Sequence, residues 1–437
     1  MTTTEGAAPP ATGAPVPRHL HAEFMQIWEE GYVSNQISFE AMHTQMVLVL
    51  EGGPLRRADG VLDRERILRH LEAATSGIDL FRVRLMRGVL GLTPPAWVPD
   101  DRFDIHRHVL FGNEVLELTT ETLPELTTAT MAPMSLRHPL WRFKVTELTN
   151  GDVALGAVFH HASADGLGAM KILAAITDNA PDAHPRSVSA HWSERKAPAG
   201  PIALPFLALR RWLSVHDSPA AAWRDFRAKP LRRRIRRVGG RVLRPFRDAR
   251  SNRPSERVRE LPVRHSAFAT LDSAQVARRA ESLGGTLSDL LAAAVMRASH
   301  GDVRLRFPVS TRAPGELARN RVWDMQLQGS AAADLGELIA TLRAQIDHRD
   351  DYARNAPPLV GRQIGYITVL PWRSRPRYLS GARVVRLVPF PASLPRDELS
   401  AGGVLYDGGL TVTLTMQAQS DVAGALRDVT ADLLGTA

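Results

Sequence analysis

Cysteine is absent from the 437-residue chain. That excludes disulfides, thiolate metal sites and any covalent thiol mechanism. It also fits a reducing compartment, so a cytoplasmic location is the expectation. No stretch approaches 18 uninterrupted apolar residues, and no membrane-spanning helix is expected. The first 18 residues, MTTTEGAAPPATGAPVPR, lack the apolar core and early positive charge of a signal peptide and read as a disordered leader. Missing too are a Gly-x-Ser-x-Gly elbow, a Gly-x-x-x-x-Gly-Lys phosphate loop and a convincing dinucleotide fingerprint. A serine-elbow hydrolase, a P-loop enzyme and a dinucleotide-binding oxidoreductase are thereby disfavoured. No permanently bound cofactor and no metal are expected.

Acidic residues are scarce in one place only. Between Arg224 and Arg250 twelve basic residues face Asp225 and Asp248, so this segment holds +10 and the rest of the +9 chain sums to −1. The protein is therefore neutral apart from one basic segment. Nucleic-acid binding is not expected from a single such feature without a supporting module. Phe206, Leu207, Trp212, Leu213, Trp223 and Phe226 lie beside or within the basic run. Residues 204–250 could thus form an ordinary solvated crossing, or rest peripherally on an anionic membrane surface.

What the chain does have is 44 % hydrophobic residues over a length sufficient for two or more cores. Strand and helix patterns alternate from residue 19 to about 185. Thr44–Leu50, Pro139–Leu148 and Val153–Phe159 read as strands, the last apolar on both faces, while Asp63–Thr75 and Leu167–Thr177 read as helices. Composition then shifts over 186–260, which is rich in proline and arginine. After residue 261 the alternation resumes, with helices at Ser273–Leu283, Thr286–Ser299, Leu335–His348 and Asp421–Leu434. Strands are expected near Val303–Val309, Val322–Leu327 and Leu410–Thr415. The division is a first lobe over 19–185, a basic crossing over 186–260 and a second lobe over 261–437. The fold class is α/β (α+β).

One cluster carries chemistry. His160-His161-Ala-Ser-Ala-Asp165-Gly166 falls between the Val153–Phe159 strand and the following helix. Successive strand residues face opposite ways, so only one histidine can look into a given cavity. Extrapolating the alternation puts His161 on the face of Phe159 and His160 on that of Val158. Imidazole titrates near neutrality and can take a proton from an attacking hydroxyl or amine. As isolated residues the histidines equally suit a strand end, and Ser163 or Asp165 a helix cap. A His-His-x-x-x-Asp metal site lacks a nearby cluster for its third ligand.

The combined pattern is more specific, arising by chance in only a few of ~1,000 chains of this length. It resembles the HHxxxDG motif of the acyltransferase superfamily, which includes chloramphenicol acetyltransferase and nonribosomal condensation domains. Within it the chain most resembles the bacterial wax ester synthase/diacylglycerol acyltransferases. Further matches are Met42-His43 to Gly52, Trp97 with Phe103-Asp104 and His108-Val109, and Pro139-Leu140-Trp141. Later come Gly285-Thr286-Leu287-Ser288-Asp289, Pro308-Val309-Ser310-x-Arg312, Asn320, Ser380-Gly381-Ala382 and Tyr406 to Leu410. Two segments depart from the family pattern: His19 to Phe24 and Thr368 to Trp372.

The resemblance implies two chloramphenicol-acetyltransferase-like sandwich lobes with the site in a tunnel between them. By carry-over His161 is the general base, His160 supports it, and Asp165 orients the loop through an ion pair for which Arg312 is the candidate. Gly166 allows close approach, and Ser288, Asp289 and Asn320 support the site. The implied reaction moves an acyl group from a thioester, acyl-CoA being the favoured cosubstrate, to a hydroxyl or amine acceptor. A carrier-protein donor, as in condensation domains, and a non-catalytic lipid- or partner-binding scaffold are the alternatives.

Overall fold

The computed structural model describes residues 19–26, 29–30, 32–33, 43–91, 93–119, 122–126, 134–183, 187–188, 196–215, 264–312, 320–349, 358–372, 375–391, 393 and 397–436, with six positions between 224 and 232. The expected leader and most of the basic run, including Arg233 to Arg250, lie outside the described residues.

Two six-stranded sheets form the two halves of the molecule. The first uses β1 (His43–Leu50), β2 (Val109–Leu116), β3 (Trp141–Leu148) and β4 (Val153–His160). The second uses β5 (Arg264–Asp272), β6 (Asp302–Ser310), β7 (Val322–Ser330), β8 (Arg362–Pro371), β11 (Leu399–Tyr406) and β12 (Gly409–Gln417). Between β8 and β11 the chain returns to the first sheet as β9 (Tyr378–Leu379) and β10 (Ala382–Phe390). The first sheet therefore runs β9-β10-β1-β4-β3-β2, and the second runs β5-β12-β11-β8-β6-β7.

That excursion departs from a simple split at residue 261. Without β10 the β1 ladder would have one open edge, and an unpaired buried edge is costly. β10 closes it antiparallel, pairing Leu387 with Leu48 and Val388 with Val47. Leu387 joins the larger core of the first lobe and Val388 a smaller one on the opposite face. Buried Arg377 fastens the crossing, donating from Nε to Thr177 Oγ1 at 3.0 Å.

Helices cover one face of each sheet. α1 (Arg64–Ser76) and α2 (Gly166–Ile176) bury Ile67, Leu71, Leu173 and Ile176 against the first. On the second, α4 (Ser273–Ser282), α5 (Leu287–Arg297), α6 (Leu335–Asp347) and α7 (Val422–Leu434) supply Val276, Leu291, Leu338 and Val429 to its core. Helix α3 (Ala203–Val215) opens the crossing with Leu204 buried, while Phe206, Leu209 and Leu213 are exposed. Among the described residues no helix is long and apolar enough to cross a membrane.

Candidate active site

Strand β4 delivers the motif. All eight of its residues are buried, because β1 and β3 flank it and cores lie on both faces. Its last residue, His160, follows the pleat and stands directly opposite His43. His160 Nδ1 accepts the Ala162 backbone N–H at 3.1 Å, closing the turn that follows. Burial, reinforced by His43 and His161, pushes the His160 pKa well below the usual imidazole range. The side chain thus shapes the loop from behind.

His161 lies one residue past the strand, in the turn. The turn and the second lobe therefore aim it, and the alternation extrapolated from Phe159 does not decide its direction. Its ring stacks on Tyr32, with centroids 4.4 Å apart and planes 12° from parallel. From the second lobe, Asn320 Nδ2 donates to the His161 carbonyl oxygen at 3.2 Å and sits 3.3 Å from Nδ1. Only 7 % of the residue is exposed. Burial lowers its pKa, while Asp165, its own backbone carbonyl and Asp324 oppose that in part. The ring is consequently neutral at neutral pH.

Asp165 ties the loop to both lobes. Oδ1 accepts the Gly168 N–H at 2.7 Å, capping α2. Arg312 reaches both carboxylate oxygens, Nη1 to Oδ1 at 3.0 Å and Nη2 to Oδ2 at 2.8 Å. Oδ2 also accepts the Arg321 backbone N–H at 3.0 Å. The helix cap and the ion pair, alternatives for isolated residues, coexist on one carboxylate. With side-chain exposures of 1 % and 8 %, the pair is sheltered and bidentate, a geometry that fixes direction as well as distance. Gly166 passes close to the second lobe, where an added Cβ would lie 3.0 Å from Leu370 Cδ2.

Two cavities border the motif. One of about 230 Å³ is lined by His161, Asp165, Gly166, Ser288, Thr368 and Leu370, among others. The other, about 480 Å³, runs along α2 past Leu80, Ser163, Lys171 and Arg312. Thr368 and Leu370 belong to the segment that departs from the family pattern, so the difference falls on the cavity wall. Asp289 is not at the site. Its carboxylate closes the capping box of α5 with Thr286 and receives Arg343, which spends it on helix geometry. Among the described residues no cluster of three His, Asp or Glu side chains suits a metal ion.

Sequence reasoning missed Tyr32, Arg306, Asp324 and Tyr366. Asp324 and Tyr32 both feel the electrostatics of this compartment, and each has its pKa raised mainly by burial. Arg306 binds buried Asp397 at 2.5 Å. Their convergence depends on which strands are neighbours, and no local motif marks it.

Residues 38–291 match the family described as wax ester synthase/diacylglycerol acyltransferase catalytic domain. Rv3087 of Mycobacterium tuberculosis (strain ATCC 25618 / H37Rv), provisionally named a diacylglycerol O-acyltransferase, is 31 % identical over 231 residues, covering 50 % of this chain and 46 % of that protein. The similarly named tgs3 of the same organism is 31 % identical over 163 residues, 36 % of this chain and 59 % of that one. The chain spans about half the length of the curated relatives it matches.

Among solved structures, the wax ester synthase/diacylglycerol acyltransferase of Marinobacter aquaeolei VT8 superposes with a TM-score of 0.59 at 17 % identity, over 94 % of this chain and 98 % of that one. The first condensation domain of the calcium-dependent antibiotic synthetase gives 0.59 at 15 % identity over 95 % and 97 %. Polyketide synthase associated protein 5 of Mycobacterium tuberculosis gives 0.56 at 15 % over 95 % and 99 %. These likenesses establish the two-lobed fold. The family match spans more than half of the sequence and includes the whole histidine motif, and so the chain belongs to the wax ester synthase/diacylglycerol acyltransferase family.

Proposed function

We propose that the protein is an acyltransferase moving an acyl group from coenzyme A to a hydroxyl acceptor, with His161 as general base. The observation that carries this reading is a buried, neutral imidazole beside a cavity between two lobes, braced by Tyr32 and Asn320. In the tautomer that carries its proton on Nδ1, Nε2 is free to accept one from the acceptor. The acceptor O–H gives that proton to Nε2 as its oxygen attacks the thioester carbonyl. A C–O bond forms, the tetrahedral oxyanion collapses, the C–S bond breaks and the thiolate takes the proton back. Ser288, which lines the same cavity, is a hydroxyl-bearing candidate to stabilise the oxyanion. The larger cavity along α2, with Lys171 at its wall, suits the donor arm.

The test is release of free coenzyme A from a panel of acyl-CoAs, with alcohols, diacylglycerol and polar hydroxyl compounds as acceptors. Acceptor-dependent release is expected, falling by about 10²–10⁴-fold in His161→Ala, the span of general-base catalysis. Equal release from both proteins would refute the assignment of the base. Turnover seen only with acyl groups on a carrier protein would replace coenzyme A as donor. No turnover with either would favour the binding scaffold.

A further inference from the structure

The wall opposite the histidine loop is a sheet face whose composition follows from strand register. β6 and β7 run antiparallel, with Ser310 opposite Val322, Pro308 opposite Asp324 and Arg306 opposite Gln326. β6 and β8 run parallel, with Arg306 beside Tyr366. Residues paired this way, and those two apart along a strand, share one face. Ser310, Pro308, Val322 and Tyr366 of that face line the cavity that contains His161. Asp324 and Arg306 are therefore on the surface that looks at the histidine loop, and the Asp324 charge acts on both His161 and Tyr32.

The charges on this wall do not cancel. Asp165 is matched by Arg312, and Arg306 is taken by Asp397. Asp324 keeps solvent exposure although the groups crowding it raise its pKa, and it has no hydrogen-bond or ion-pair partner among the described residues. A purely apolar acceptor filling the compartment would strip water from this carboxylate and return nothing, a costly exchange. A cationic group would meet it at once.

Resting on the acyltransferase reading above, we propose that Asp324 is an acceptor-binding residue and that the acceptor is an amino alcohol, with its hydroxyl at His161 and its ammonium on the Asp324 carboxylate. The hydroxyl attacks the thioester, while the ammonium stays protonated and takes no part in bond making. Arg306, held by Asp397, favours the charged form of Asp324 against the crowding that raises its pKa.

The experiment compares three acceptors of matched chain length, an amino alcohol, a diol and an n-alkanol, with acyl-CoA as donor and the full chain as enzyme. Wild type is expected to show its highest kcat/KM with the amino alcohol. Asp324→Asn should lower the amino alcohol to alkanol ratio at least tenfold, chiefly through KM, and Asp324→Glu should restore part of it. A wild type that prefers the alkanol or the diol overturns the amino-alcohol assignment. Equal losses on all three acceptors in Asp324→Asn overturn the binding role, because a carboxylate acting only through His161 or through folding would not discriminate. If wild type releases coenzyme A with no acceptor at all, the acyltransferase reading fails instead, a result distinct from an altered preference.

Discussion

On the first-lobe side of the site, His160, His161, Asp165 and Gly166 arrive within seven consecutive residues, at the end of a strand buried along its whole length. On the second-lobe side, Arg306, Asp324 and Tyr366 come from three different strands brought together by register. The carboxylate of the first wall is engaged on both oxygens, since Asp165 accepts from Gly168, Arg312 and Arg321. The second presents a carboxylate without a hydrogen-bond partner among the described residues. A carboxylate bonded on both oxygens holds its loop in place, whereas an unengaged carboxylate is open to a ligand.

The sharpest contrast is between two aspartates. Asp165→Asn takes the carboxylate from a nearly buried Arg312 and should lower unfolding free energy by about 3 kcal/mol. Asp324→Asn, at an exposed and unpaired position, should stay within about 0.5 kcal/mol of wild type. Urea unfolding of both variants reads this directly, and similar losses in the two would erase the distinction between the walls.

Acid should separate the lobes next. Burial, the leading cause for both, lowers the pKa of His43 and His108 in the first lobe to about 4. The unfolded chain then binds protons that the folded one refuses, so their stabilising contribution is complete above about pH 6.5 and is lost as pH falls towards 4. Each should cost roughly 2 kcal/mol by pH 5. Hydrogen exchange at pH 7 and pH 5 should show protection falling first in residues 43–50 and 153–160. Earlier loss in residues 399–417 would contradict this. Because the His161 pKa is also lowered, kcat/KM should hold steady down to pH 6.5 and drop only on the acid side of it.

The smallest effect is expected where the walls touch. In Gly166→Ala the new methyl meets the flexible end of Leu370 at 3.0 Å, so stability should shift by less than about 1 kcal/mol. The acceptor KM should rise a few-fold, because both residues line the cavity. An unchanged KM would mean that the acceptor does not pass between them.

Much of the first lobe was legible because its signals are local. The strand Pro139–Leu148, the continuous apolar run Val153–Phe159 and the helix Leu167–Thr177 all appear within a residue or two of expectation. In the second lobe the helices were as clear, Thr286–Ser299 appearing as Leu287–Arg297. Its strands were less so. Leu399–Tyr406 contains Gly402-Gly403, and Arg264–Asp272 buries only the consecutive pair Ser266 and Ala267, so neither shows a strong periodic pattern. The return of Tyr378–Phe390 to the first sheet left no trace in periodicity, because pairing partners are not written in the strand that needs them. Asp289 shows the converse hazard: its neighbours resemble a site motif, yet its carboxylate is committed to a capping box.

The sequence by itself determined the family, the two-lobed α/β plan and a histidine loop whose residues are close in space because they are close in the chain. Tertiary structure decided which way His161 points, what Asp165 holds and that Asp324 faces the loop at all. The physical reason is that a turn is fixed by bonds among neighbours, whereas a cavity wall is fixed by strand order and register. A one-residue slip of β7 against β6 would turn Asp324 to the opposite face with no change in sequence.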